Sequence, residues 1–187
     1  MQKIALIALA ASAAIATPAL AQSVASGTVA VNGTVAGKCT AITPISETIT
    51  LNELALANGT VDGTFSGAAS GGLTKTFTVK CTTATPRITV SSNALTNTVD
   101  PTTANGYTGT VNYTSTLVAD QAPTGFATAI YITAGNPPAS TTALTAPLKN
   151  ATGNVRLTVS AGTTTNGSDV LKSGTYTSTV TITVSPA

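Results

Sequence analysis

Gly174-Thr-Tyr-Thr-Ser-Thr-Val-Thr-Ile-Thr-Val-Ser-Pro186 places Tyr176, Val180, Ile182 and Val184 two residues apart or a multiple of two, with Thr and Ser filling the sites between. That period is the mark of a β-strand with one dry face and one wet face. The stretch lies beside the last residue, Ala187. A strand this apolar needs a partner along its edge, because unpaired N–H and C=O groups next to a Val/Ile face invite pairing with another chain.

The same alternation recurs upstream. Val29, Val31 and Val35 alternate within 28–35, residues 48–51 make a shorter run, Phe77 and Val79 share a face within 73–80, and Ile88 and Val90 do so within 87–91. Farther on, Tyr107, Val111, Tyr113 and Leu117 align within 107–118, Ile130 and Ile132 fall in an apolar run over 127–133, and Val155, Leu157 and Val159 align within 154–160. Each run ends at Gly, Asn, Pro or Ser, the residues that turn a chain. Seven or more short strands at this spacing predict an all-β fold, a two-sheet sandwich. The segments 58–72, 100–106 and 135–147, rich in Gly, Ser or Pro, read as loops.

Composition points the same way. Only 7% of residues are charged and 4% aromatic, with no His and no Trp. Eight basic against six acidic side chains give a net charge of +2, far too balanced for electrostatic binding of nucleic acid. The regular apolar alternation separates the chain from disordered Thr/Ser/Gly-rich sequences, which cannot bury a core.

At the other end, Met1-Gln-Lys3 is a short basic start, residues 4–15 are apolar, and Ala19-Leu-Ala21 is a small-x-small cleavage signal. Together they read as a secretory signal peptide over 1–21, leaving 22–187 as a single β-sandwich domain. The apolar run is too short to span a bilayer, so no transmembrane segment is expected in the mature chain. Export predicts that Cys39 and Cys81 pair as a disulfide. Closing a loop of about 42 residues would remove unfolded-state entropy worth about 4 kcal/mol. A zinc or redox pair fits poorly, since there is no His and the spacing is not Cys-x-x-Cys. No metal and no cofactor are expected.

Catalysis is not expected either. General acid–base chemistry at neutral pH most often uses His, and Glu47, Glu53, Asp62, Asp100, Asp120 and Asp169 are scattered without a motif. No Gly-x-Ser-x-Gly elbow is present. Five Asn-x-Ser/Thr matches, at Asn32, Asn58, Asn112, Asn150 and Asn166, carry little weight in a chain this rich in Thr.

Three segments together resemble a family. They are Gly27-Thr-Val-Ala-Val-Asn-Gly-Thr-Val-Ala-Gly-Lys-Cys39-Thr40, the second Cys in Phe77-Thr-Val-Lys-Cys81, and Ser173-Gly-Thr-Tyr176 leading into the final strand. They look like subunits of chaperone–usher pili, most closely the spore coat protein U-like branch that includes archaic-type pilins. Asn112-Tyr-Thr-Ser-Thr-Leu117 resembles that branch's central strand. Two positions depart from it: Ser178 stands where the branch usually has an acid, and the sequence ends Ser185-Pro-Ala187 rather than on an aromatic residue.

The resemblance implies an immunoglobulin-like sandwich lacking one strand. A periplasmic chaperone fills the gap first, and the N-terminal extension of the next subunit then replaces it at an outer-membrane usher. The joint is head-to-tail and does not close, so copies build a cell-surface fibre, a fimbrium. The acceptor-groove candidates are then Tyr176, Val180, Ile182 and Val184. The donor comes from residues 22–35, with Val24, Val29, Val31 and Val35 as plugs. The alternative is that Val29, Val31 and Val35 form the domain's own edge strand, in a monomeric secreted sandwich that binds a ligand or coats the cell surface.

Overall fold

The computed structural model describes residues 30–43, 45–70 and 72–187. The expected signal peptide and the donor candidates Val24 and Val29 lie outside those residues. The chain divides into two compact units at Thr34 and Val35, and the second unit contains every described strand. Among the described residues there is no helix.

Among the described residues, fourteen strands follow in chain order. The first five are β1 (Cys39–Ala41), β2 (Thr74–Phe77), β3 (Val79–Cys81), β4 (Arg87–Ser92) and β5 (Leu95–Asn97). Next come β6 (Thr103–Ala104), β7 (Tyr107–Thr108), β8 (Thr110–Asp120), β9 (Phe126–Ile132) and β10 (Ser140–Ala143). The last four are β11 (Val155–Thr163), β12 (Val170–Leu171), β13 (Tyr176–Thr177) and β14 (Val180–Ser185). One sheet runs β10-β4-β14, and a larger one runs β13-β5-β8-β11-β2 with β9 also paired to β8. Two small sheets, β1-β3 and β12-β7-β6, complete the set.

The fold is an all-β, sandwich-like arrangement, as the alternation predicts. β8 alternates without a break between inward residues (Val111, Tyr113, Leu117, Ala119) and half-exposed ones, because it is paired on both sides and covered on one face. Ile88 and Val90 of β4 are fully buried and pack against Leu117, Ala129, Tyr131, Val155 and Leu157 of the larger sheet. Each Val, Leu or Ile among them contributes about 1.5–3 kcal/mol by leaving water. A second cluster of Leu54, Phe65, Leu95, Val111, Tyr113 and Val159 fills the other end.

Several expectations are corrected. The quoted terminal stretch is two strands in different sheets, β13 beside β5 and β14 beside β4, separated at Ser178 and Thr179. The segment paired with it breaks at the matching place, Asn93 and Ala94, so a two-stranded ribbon passes from one sheet to the other. Residues 48–51 form no strand, nor do residues 30–35 of the expected 28–35 run. Val31 and Val35 are 92% and 81% exposed. Tyr107 lies on the short β7, not on β8, and is exposed. The stretch 135–147 contains β10, and 100–106 contains β6.

Cys39 and Cys81 are bonded to each other and face one another directly in the β1–β3 register. The bond closes a 42-residue separation and joins neighbouring strands. It packs against the inter-sheet core.

Candidate functional site

Among the described residues, β14 pairs only with β4 and β2 pairs only with β11, so each presents one free edge. Between these edges lies a cavity of about 880 Å³. Its floor includes Phe77, Tyr113, Leu157 and Val159, all from the sheets' buried faces. One wall is the ribbon that carries Tyr176, Val180 and Ile182. The opposite wall is the segment 45–55.

β14 reaches this position because its inward residues face the core while its outward residues face solvent. Ile182 lies opposite Val90, and Val184 opposite Ile88, in the β4 register. Val180, Ile182 and Val184 are each only partly buried, although they pack against the core cluster. An apolar side chain left half-covered at a sheet edge is unfinished burial, and each could still gain on the order of 1 kcal/mol from a further neighbour. Val184 packs against the core but does not line the cavity. The donor candidates Val31 and Val35 are exposed.

The far wall is anchored at both ends and bare between them. Upstream, the Ile42 N–H donates to the Thr78 carbonyl at 2.7 Å, and the Thr78 N–H donates to Thr43 Oγ1 at 2.8 Å. Downstream, the Ala69 N–H donates to the Thr50 carbonyl at 2.9 Å, and the Asp62 N–H to the Leu54 carbonyl at 2.7 Å. No backbone hydrogen bond is made by residues 45–49 among the described residues. Ile49 and Leu51 touch the second cluster, and Leu54 is buried in it. This explains why 48–51 looks like a strand in sequence: its apolar residues do face inward, without a ladder.

The loop holding that downstream anchor is itself organised by Asp62. Its carboxylate accepts from the Thr64 N–H (2.9 Å), Thr64 Oγ1 (2.7 Å), the Ser66 N–H (2.7 Å) and Ser66 Oγ. These bonds favour the charged form, the Ser66 and Thr64 hydroxyls most, and hold the carboxyl well below the usual range. The turn drives Phe65 into the core at φ 52°, against Gly162, where any Cβ would meet the ring at 2.6 Å.

At the ribbon end of the cavity, polar groups are locked by short local contacts. The Ser178 hydroxyl donates to the Asn93 carbonyl, so the Tyr113 hydroxyl donates to Ser178 at 2.7 Å. The Tyr176 hydroxyl donates to the Lys172 carbonyl at 2.9 Å. Asn97, 1% exposed, donates to the Ser173 carbonyl at 3.1 Å and accepts from the Val99 N–H at 2.9 Å. Lys172 Nζ donates to Asp100 at 2.8 Å, which lowers the Asp100 pKa to about 2, with Thr102 assisting. Away from the cavity, Asp120 is held by Arg156 in a two-pronged pair at 2.9 Å, which raises the guanidinium pKa. Asp169 accepts from the Asn166 amide.

Sequence reading anticipated Tyr176, Val180 and Ile182, which the fold brings together on one wall. It missed the opposite wall and the floor residue Tyr113's link to Ser178. It also missed the buried asparagines Asn97 and Asn154. A polar Asn inside an otherwise apolar run, as in Leu95-Thr-Asn97 and Asn154-Val-Arg-Leu157, was the available signal. Comparison with models of protein families, with curated proteins and with solved structures finds no match.

Proposed function

We propose that this chain is a structural subunit of an exported surface fibre, a pilus, assembled by donor-strand complementation. The observation that carries the reading is the cavity flanked by the unpaired edge of β14, whose inward side chains are apolar and half-covered. A strand laid there would pair with β14 and cover Val180 and Ile182, completing an immunoglobulin-like sandwich. β14 offers six residues with no charge and no Pro, which native edges otherwise use to avoid pairing. Exposure of Val31 and Val35 supports their role as plugs for a neighbour, together with Val24 and Val29. In this reading the partners are further subunits, a periplasmic chaperone and an outer-membrane usher, and the destination is the cell surface.

The test is Val31→Asp in the full exported chain. A carboxylate carried into an apolar groove costs several kcal/mol unless it protonates or escapes. Polymer should disappear while the denaturation midpoint of the subunit stays within error. Polymer of wild-type length from this variant contradicts the proposal.

A further inference from the structure

Two free edges flank the cavity, and they differ in one respect that bears on which of them accepts a strand. β14 presents Val180, Ile182 and Val184 inward. β2 presents Phe77 and Lys75. Lys75 lies opposite the buried Leu157 in the β2–β11 register, two residues from the buried Phe77, so it is on the inward face of an edge strand. It lines the cavity and is partly buried. Glu47 and Glu53 line the same cavity, but neither stands within ion-pair distance of it. Among the described residues Lys75 has no ion-pair partner and no side-chain hydrogen-bond partner; the ion pairs there are Arg156–Asp120 and Lys172–Asp100. An inward-pointing charge on an edge strand is a recognised means of blocking edge-to-edge pairing.

We propose that Lys75 is a specificity-determining residue that closes the β2 edge to strand addition, so that pairing is confined to β14. The two free edges of the same cavity differ in what a strand laid on them would cover. A strand paired to β14 lies against an edge whose own side chains are all apolar or hydroxyl-bearing. One paired to β2 covers an ammonium that has no ion-pair partner in this structure, and burying a charge unpaired is costly. Discrimination therefore comes from a repulsive element at the wrong edge as well as attraction at the right one. The proposal rests on the strand-acceptor reading for the role of β14, but its prediction for β2 stands separately.

The experiment compares wild-type full chain with Lys75→Val, Lys75→Arg and Lys75→Glu by light scattering and by hydrogen exchange resolved to peptides covering 74–77 and 180–185. Lys75→Val should assemble at about a tenfold lower concentration and gain amide protection at 74–77. Lys75→Arg and Lys75→Glu should match wild type, because a charge of either sign blocks the edge. Unchanged exchange at 74–77 in Lys75→Val overturns the proposal, as does protection there in the Arg or Glu variant. Protection at 180–185 is the separate readout of the strand-acceptor reading: its absence in every assembled variant sinks that reading, whatever happens at β2.

Discussion

Asn154→Ala is expected to destabilise the domain by about 3–5 kcal/mol, although Asn154 sits just before β11 and lines no part of the cavity. Its side chain acts as a surrogate strand for β3. Oδ1 accepts from the Val79 N–H at 2.9 Å, and Nδ2 donates to the Val79 carbonyl and to the Lys149 carbonyl, each at 2.7 Å. Asn154 is 1% exposed and Val79 2%, so water cannot replace the amide once it is cut away. Two orphaned groups on Val79 cost about 1–3 kcal/mol each, and the Lys149 carbonyl adds a smaller loss because it lies nearer solvent. Asn154→Asp should be as damaging, since a carboxylate accepts from the Val79 N–H but repels both carbonyls. The assay is urea denaturation followed by tyrosine fluorescence, with the midpoint shifting and the slope unchanged. A loss below about 1 kcal/mol would refute the claim that the side-chain amide supplies β3's missing partners.

Two further outcomes are expected. Replacing Cys39 with Ser should cost about 2–5 kcal/mol and expose one titratable thiol on Cys81, measured by denaturation and thiol titration of the oxidised protein; free thiols in oxidised wild type would contradict the pairing. Asp62 and Asp100 have folded-state pKa values below the unfolded value of 3.8. Their contribution is therefore fully present above about pH 4 and is lost as pH falls through the depressed values, about 2 for Asp100. The melting temperature should drop more steeply between about pH 4 and about pH 2 in wild type than in Asp62→Asn, and equal slopes would remove the carboxylate's role in the loop.

Legibility in the sequence followed from how much each element depends on its neighbours. β4, β8 and β11 were readable because their apolar residues alternate with polar ones, so that Ile88, Leu117 and Leu157 each had an unambiguous side. β9 was different: Ala127, Ala129 and Tyr131 alternate with Ile130 and Ile132, so both faces are apolar and period alone cannot choose. The register does choose, since Ala129 lies opposite the buried Leu117 and Ala127 opposite Ala119, which leaves Ile130 and Ile132 exposed. Residues 48–51 carry the right pattern and no ladder, because pairing needs a neighbour that sequence does not specify. The cavity's ribbon wall was legible in Tyr176, Val180 and Ile182. Its floor and far wall were not, because Phe77, Tyr113 and Leu54 meet there only through long-range packing.

The most direct test of the strand-acceptor account mixes a synthetic peptide of residues 22–38 with a chain beginning at Gly33, and follows thermal unfolding as peptide is added. The account predicts that the shortened chain is less stable than the assembled full chain, whose grooves are filled by neighbours. It also predicts a rise with peptide concentration, reaching about 2.7 kcal/mol at about a hundred times the dissociation constant, with new amide protection over Val180–Ser185. A shortened chain as stable as the assembled full chain, and indifferent to the peptide, would contradict it.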